Sequence, residues 1–331
     1  MNPLISIVMP AYNTEKYIGD AIKSIIRQTH KDWELIIVDD CSTDHTVNII
    51  ENFMQQNQNI RLIQRSQNSG GCRLPRFDGI LAAKGNFVCP IDSDDVIESK
   101  YLEKMLKRQK ETNADIILGR MMLFNKTPKD YKICVPEKEY DMLQIMTGKE
   151  ACRLTIGGWK IALGGAFVKS SLYKDFIKRD RYNKNNYYFS DEIEHRKLLL
   201  SSREVALTNA YYYYRQQPHS IIHSINPRYF DRLKAVSEVY LLIKDNFKKN
   251  QDVLDDMQYE FIGTLSYCQQ LFIKNRKLYS QEEQKKIKHL IKFSYKLINK
   301  DNMKGRTWKQ KVVTKGWPIF ILASKIENII K

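Results

Sequence analysis

Asn86-Phe87-Val88-Cys89-Pro90-Ile91-Asp92-Ser93-Asp94-Asp95 runs an apolar segment straight into three carboxylates within four positions. The apolar part has strand character. Asp92 and Asp94, at i and i+2, converge on one ligand if the backbone turns where the strand ends. Three unneutralised carboxylates repel one another, so a positive group belongs among them. A hard divalent cation held by one or two carboxylates together with substrate phosphates meets that requirement. The competing reading is a solvated acidic turn that caps the helix after it.

Upstream the same arrangement recurs. Ile5-Ser6-Ile7-Val8-Met9 reads as a buried strand ended by Pro10-Ala11-Tyr12-Asn13. Trp33-Glu34-Leu35-Ile36-Ile37-Val38 reads as a second, ended by Asp39-Asp40. Between them Tyr17, Ile18, Ala21, Ile22, Ile25 and Ile26 fall at helical spacing. Ser42, Thr43 or Asp44 is placed to cap the next helix, whose apolar face is Val47, Ile50, Phe53 and Met54. Ile60-Arg61-Leu62-Ile63 gives a third strand, Asn68-Ser69-Gly70-Gly71 a loop, residues 74–83 a helix, and residues 87–91 the fourth strand. Strands that alternate with helices and are apolar on both faces predict an α/β fold, a mostly parallel sheet flanked by helices. Such sheets bind ligands at the carboxyl ends of their strands. Asn13, Asp39-Asp40 and Asp92 to Asp95 each lie just past such an end.

The middle of the chain is less regular. It predicts a helix near Tyr101 to Thr112, a strand near Ile116 to Phe124 and a polar loop through Pro136. Thr147-Gly148-Lys149-Glu150 has capping-box spacing. Gly157-Gly158-Trp159-Lys160 and Gly164-Gly165-Ala166-Phe167 permit close backbone approach, and Trp159 offers a flat face for a sugar ring or for the core. Phe189-Ser190-Asp191-Glu192-Ile193-Glu194-His195 is a second acidic cluster, in a place where acidic residues also complement a helix dipole. Tyr211 to Arg215 reads as a strand. His219 and His223 follow it, each a candidate to complete a metal's ligand set or an ordinary surface histidine.

Composition bounds the rest. The six cysteines are scattered with no CxxC pair, which argues against a zinc site or a disulfide framework and for a reducing compartment. No run of about 18 apolar residues predicts a membrane span, and no secretory leader is read at the start. Residues 271–331 hold sixteen Lys or Arg against four Asp or Glu, a net +12 of the chain's +16. From Pro227 onward the pattern is helical, with apolar faces at Leu233, Val236, Val239, Tyr240 and Ile243 and at Leu290, Ile291, Tyr295 and Ile298. The last segment sets Trp308, Val312, Val313, Trp317, Phe320, Ile321, Ile326 and Ile330 among lysines. It reads as a core-facing helix with a basic rim or as an interfacial segment on anionic lipid.

Five stretches in order carry a resemblance. They are Ile7 to Asn13, Ile37 to Asp44, Asn68 to Arg76, Asp92 to Asp95, and Tyr212 to Arg215 with Ser220-Ile221. Over roughly residues 4–222 the chain resembles the family 2 glycosyltransferases of GT-A fold, of the bacterial cell-surface polysaccharide type. The resemblance implies a catalytic domain over 1–224, its nucleotide-sugar half at 1–98 and its acceptor half at 99–224, followed by a basic helical region over 225–331. It implies that Asp40 reads the nucleobase in a pocket lined by Pro10, Ala11, Tyr12, Asn13 and Asp39. Arg76 and Arg73 then approach the nucleotide. Asp92, Ser93 and Asp94 form the DXD motif, whose carboxylates hold the ribose and Mn2+ or Mg2+. Glu192 is the base, with Asp191 before it, and Trp159 and Gly165 face the acceptor. Three departures stand out. Cys41 occupies a position where the family mostly has glycine. Leu74-Pro75-Arg76-Phe77-Asp78 replaces Ala-Arg-Asn, and Asp191-Glu192 reverses the usual Glu-Asp order.

The implied reaction is metal-dependent transfer of one sugar, with inversion, from a nucleotide-sugar, a UDP-sugar above all, to a hydroxyl of a glycan or lipid-linked acceptor. A hydroxyl is a poor nucleophile, so a carboxylate must take its proton, and a metal stabilises the departing diphosphate. No Gln-x-x-Arg-Trp motif or membrane helix marks a processive synthase. A non-catalytic nucleotide-sugar-binding subunit is the alternative. A nucleic-acid partner is not expected, because the charge is confined to the tail while the body carries an acidic site. The expected place is the cytoplasm, peripheral at the inner face of a bacterial plasma membrane, with the C-terminal helices available for homo-oligomer contacts.

Overall fold

The computed structural model describes residues 3–125, 127–133, 141–158, 160–180, 187–217, 226–299, 311–313 and 315–330, without the side chains of 325–330. The chain divides into two compact units. The first comprises Met1–Thr155, Trp159–Tyr187 and His195–Gln217, the second Ile156–Gly158, Tyr188–Glu194 and Pro218–Lys331.

The first unit opens with β1 (Ile5–Ala11), α1 (Ile18–Ile26), β2 (Trp33–Asp39), α2 (Thr46–Gln56), β3 (Ile60–Gln64), α3 (Arg73–Ala82) and β4 (Phe87–Pro90). It continues with β5 (Val96–Ile97), α4 (Tyr101–Thr112), β6 (Ile116–Phe124), β7 (Tyr131–Ile133), β8 (Ile145–Thr147), α5 (Gly148–Arg153), β9 (Phe167–Lys169) and α6 (Ser170–Asp180). After α7 (Ser190–Ser201), whose first turn belongs to the second unit, β10 (Glu204–Arg215) closes it. Ten strands form one sheet in the order β3-β2-β1-β4-β9-β6-β10-β5, with β7 on β6 and β8 on β10. The parallel arrangement expected from sequence holds for β3-β2-β1-β4. Beyond β4 the sheet is mixed, because the short strand β9 runs antiparallel between β4 and β6.

β1 is buried along its whole length, as an apolar strand covered on both faces must be. Its one polar residue, Ser6, is satisfied inside. Its hydroxyl donates to Glu34 at 2.6 Å and accepts the Gly85 N–H at 2.7 Å. The core on this side joins Ile5, Ile7 and Met9 to Ile18, Ile22 and Ile25 of α1 and to Leu35 and Ile37 of β2. That is the periodicity read from the sequence. The cap of α2 differs from expectation. The N-cap position is His45, with no side-chain cap. Asp44 instead accepts the Thr46 N–H at 3.0 Å and the Glu15 N–H at 3.1 Å, tying the loop after β1 to the loop after β2. The Thr147–Glu150 capping box is present at α5 as read.

The second unit is helical, with a 3-10 turn (Pro227–Phe230), α8 (Asp231–Asn246), α9 (Gln251–Asn275), α10 (Gln281–Leu297) and α11 (Trp317–Ile330). Leu233, Val239 and Ile243 of α8 are buried with Phe261 and Leu265 of α9 and Ile287 and Ile291 of α10. Part of the tail's apolar face packs inward. Trp317 and Phe320 set their rings 5.0 and 5.5 Å from Tyr295, whose hydroxyl donates to the Val313 carbonyl at 2.8 Å. On that face Phe320 is buried and Trp317 half-buried, while Ile319 and Leu322 of α11 stay exposed. Trp308 lies outside the described residues.

Candidate active site

The carboxyl ends of β1, β2 and β4 meet in the first unit, and their polar residues interlock. After β1, Asn13 adopts φ +50. Its N–H donates to the Ser42 hydroxyl at 3.0 Å, and its side-chain oxygen accepts the Thr43 N–H at 2.8 Å. The Asp40 N–H reaches back to the Ala11 carbonyl at 2.8 Å. Pro10 and Ala11 are buried while Tyr12 is exposed. Cys41 takes φ +68, left-handed backbone that costs a side-chain-bearing residue and that glycine enters freely. This accounts for a glycine preference at that position.

Asp40 is buried and occupied. Its carboxylate accepts the Ser69 N–H at 2.9 Å and the Ser69 hydroxyl at 2.8 Å, and Arg65 Nε lies 3.0 Å from it. Asn68 Nδ2 adds a bond to the Asp40 carbonyl. A carboxylate offers about four acceptor positions, so Asp40 organises the 68–71 loop with little left over. Asp39 is buried as well. One oxygen accepts the Ser42 N–H at 3.0 Å, and the other, Oδ1, has no hydrogen-bond partner among the described residues.

The two arginines separate. Arg76, from α3, puts its guanidinium 3.2 Å from Asp92. Arg73, expected at the nucleotide, pairs with Asp180 at 2.5 Å and lies over the Phe77 ring. Asp180 in turn pairs with Lys197 at 2.8 Å. Residues three apart on a helix can share a face, so spacing alone does not separate them; Asp180 of α6 supplies a carboxylate for Arg73 while Asp92 supplies one for Arg76.

The Asp92–Asp95 turn is held by residues from the end of β10 and just beyond it. Asp95 is buried and structural. It accepts the Tyr212 hydroxyl at 2.6 Å and the Arg215 N–H at 2.8 Å, and the same Tyr212 oxygen receives the Asp92 N–H at 3.3 Å. Burial first, then the charges of Asp94 and Asp92, hold the Asp95 carboxyl well above the usual carboxylate range. Arg215 donates to the Asp94 carbonyl at 2.8 Å, and Gln217 donates to the Asp94 carboxylate at 2.5 Å. Even so, burial and the neighbouring Asp92 push Asp94 up to about 6. Among the described residues no three His, Cys, Asp or Glu side chains gather as a ready-made metal cage. Two hard oxygen donors with charge left uncompensated nevertheless suit a Mg2+ or Mn2+ ion that takes its other ligands from phosphates and water. His219, His223 and Trp159 lie outside the described residues.

Sequence reasoning missed Arg65 and Gln217 as parts of this site, and it quoted Ser69, Asp95, His195, Tyr212 and Arg215 within motifs and clusters without giving them a role. For His195, burial and then the nearby positive Arg76 push the imidazole down to about 3, against an opposing pull from Asp92, so the ring is neutral there. The Tyr-Arg run at the end of β10 was the available signal. Gly165 is buried rather than open. A Cβ there would lie 2.5 Å from the Tyr212 ring, and its carbonyl accepts the Tyr101 hydroxyl at 2.8 Å. Close packing accounts for that glycine.

In the second unit, Asp191 and Glu192 occupy the first turn of α7. The Glu192 N–H donates to the Phe189 carbonyl at 3.1 Å. Arg232 of α8 lies in the field of Glu192. Burial pulls its guanidinium down, but Tyr229 and Glu192 outweigh that and hold it above its ordinary value.

Residues 6–161 match the sequence profile of Glycosyl transferase family 2. The chain is 30% identical over 227 residues to glycosyltransferase GlyG of Streptococcus pneumoniae, covering 67% of this chain and 74% of that protein. It is also 27% identical over 260 residues to the poly(ribitol-phosphate) beta-N-acetylglucosaminyltransferase TarS of Staphylococcus aureus, covering 75% of this chain and 42% of TarS. The crystal structure of TarS 1–349 in complex with UDP-GlcNAc superposes with a TM-score of 0.64 at 21% identity, over 89% of this chain and 82% of that one. The fold is that of a GT-A glycosyltransferase. This chain belongs to glycosyl transferase family 2.

Proposed function

We propose that the protein transfers a single sugar from a UDP-sugar to a hydroxyl of a cell-surface glycan or its lipid-linked precursor, with inversion at the anomeric carbon. The observation that carries this reading is the Asp92–Asp94 pair. It stands at the carboxyl ends of the strands, incompletely neutralised by Arg76 and Arg215. A divalent cation held there with the donor diphosphate would offset the charge that develops on the leaving group. The nucleotide lies against Pro10 to Asn13 and the 68–71 loop. Asp39, whose Oδ1 is buried without a partner, accepts the base's imide N–H, while Asp40 holds the loop in place. Glu192 takes the proton as the acceptor oxygen attacks the anomeric carbon. The bond from that carbon to the phosphate oxygen breaks, and UDP departs with the electron pair. UDP-GlcNAc in a fold neighbour and poly(ribitol-phosphate) in the names of two relatives support this donor and a polymer acceptor.

No described helix is long and apolar enough to cross a membrane. Contact with an anionic inner membrane face falls instead to the exposed lysines of α10, namely Lys285, Lys288, Lys292 and Lys296. Their i, i+3 and i+4 spacings place them along one side of the helix. A nucleotide-sugar panel scored by hydrolysis and thermal shift tests the donor. Glu192→Gln should keep donor affinity and lose transfer by about 10³-fold or more. Donor binding without turnover in the parent protein would replace this reading with a non-catalytic binding subunit.

A further inference from the structure

A row of aromatic rings in the second unit leads to the Glu192 turn. The buried Tyr229 ring stands 5.8 Å from Phe189, edge to face, and 6.0 Å from Tyr267 of α9. Tyr267 is 52% exposed. Phe189 has φ +69, an outlier for a bulky side chain that its surroundings must enforce. The Phe189 carbonyl also receives the Glu192 N–H, so one short piece of backbone sets both the ring and the base.

On α9, Tyr267 shares a face with Gly263 and Glu260, at spacings of four and three residues. Gly263 sits within a 25-residue helix, where glycine costs about 1 kcal/mol relative to alanine. Among the described residues packing does not demand it, because a Cβ there would meet no atom of another element within 4 Å. The result is a bare strip of helix backbone one turn from an exposed ring. At its other end Glu260 accepts the Gly157 N–H at 3.1 Å. Gly157 itself turns with φ +75.

We propose that this strip is an acceptor subsite and that it takes an uncharged glycan. A sugar ring lies over Gly263 against Tyr267, with hydroxyls directed to Glu260. A pyranose has an apolar C–H face that a ring such as tyrosine's covers, and hydroxyls that a carboxylate binds by charge-assisted hydrogen bonds. The Glu260 carboxylate at the end of the strip would repel the phosphodiester polymers named for the poly(ribitol-phosphate) relatives. The inference rests on Glu192 being the base, since the row of rings ends there.

The test uses the full chain with Gly263→Leu and Tyr267→Ala. Binding is read on an array of neutral oligosaccharides printed beside poly(ribitol phosphate), and UDP affinity is measured in parallel. The parent should retain a neutral glycan, and both variants should lose at least tenfold in that binding with unchanged UDP affinity. Gly263→Leu should melt no lower than the parent, since leucine is the better helix former. Retention of poly(ribitol phosphate) instead, retention of no glycan, or equal glycan binding by parent and variants overturns the proposal. The expected glycan pattern in a parent that does not bind UDP supports the subsite and overturns the donor assignment instead.

Discussion

At the end of β2, Asp40 is buried against Ser69 and Arg65, which supply hydrogen bonds and a counter-charge. Just past the end of β4, Asp94 is half-buried, and Gln217 and Arg215 leave it near 6. Both turns are acidic and both leave the same half of the sheet, but the chain neutralises only the first. The difference separates two uses of an aspartate. A carboxylate satisfied internally fixes a loop, whereas one left under repulsion from its neighbour gains most when a cation arrives. Residue type and position are alike in the two turns, so it is the partners from distant sequence that assign the roles.

The largest effect should come from breaking the second turn. Asp94→Ala should reduce transfer about 10³-fold, or about 4 kcal/mol of barrier. It should also abolish any Mn2+-dependent gain in UDP affinity measured by calorimetry. Parent protein that turns over at full rate in EDTA would erase the contrast. Breaking the first turn should act on folding. Asp40→Ala strands buried donors on Ser69 and weakens the hold on Arg65, and should cost about 3 kcal/mol in urea unfolding. An Asp40→Ala protein of parental stability would show that the loop does not depend on this carboxylate.

A smaller effect sharpens the comparison through pH. The folded value of about 6 for Asp94 lies above its ordinary 3.8. Between those values the folded chain keeps a proton that the unfolded chain has lost. Stability from this group therefore falls as pH rises from about 4 to about 6, and the penalty is complete above that. In EDTA, Asp94→Asn should stabilise the protein by about 2 kcal/mol near pH 7.5 and by almost nothing near pH 4. A gain that is flat with pH would refute the charge explanation.

Much of the donor half was legible in the sequence because its signals are local. Apolar strands with helices at 3.6-residue spacing gave β1 to β4, and Asn13 past β1 with carboxylates past β2 and β4 gave the site's place. The missing parts are contacts that cross the chain. Arg215 and Gln217 reach the Asp94 turn from more than 120 positions away, and Tyr212 reaches Asp95 from 117. Arg73 looked equivalent to Arg76 until Asp180 drew it aside. Trp317 and Phe320 looked equally suited to lipid and to core, because an amphipathic face does not say what covers it. Tyr295 covers part of that face, and only the three-dimensional structure shows it.

The smallest effect concerns Cys41, next to the satisfied aspartate. Its φ of +68 places a side chain in the left-handed region, where an L-residue pays about 1–2 kcal/mol that glycine avoids. Glycine returns part of this as extra freedom in the unfolded chain, about 0.5–1 kcal/mol. Cys41→Gly should therefore gain about 0.5–1 kcal/mol in urea unfolding, while Cys41→Ala, which keeps a Cβ, should gain nothing. Donor hydrolysis should be unchanged in both, because Asp40 is held by Ser69 and Arg65 rather than by the residue after it. Equal stability of the glycine and alanine variants would mean that the turn relaxes without glycine. Loss of hydrolysis in Cys41→Gly alone would mean that the rigidity of this turn, and not only its carboxylates, shapes the nucleotide pocket.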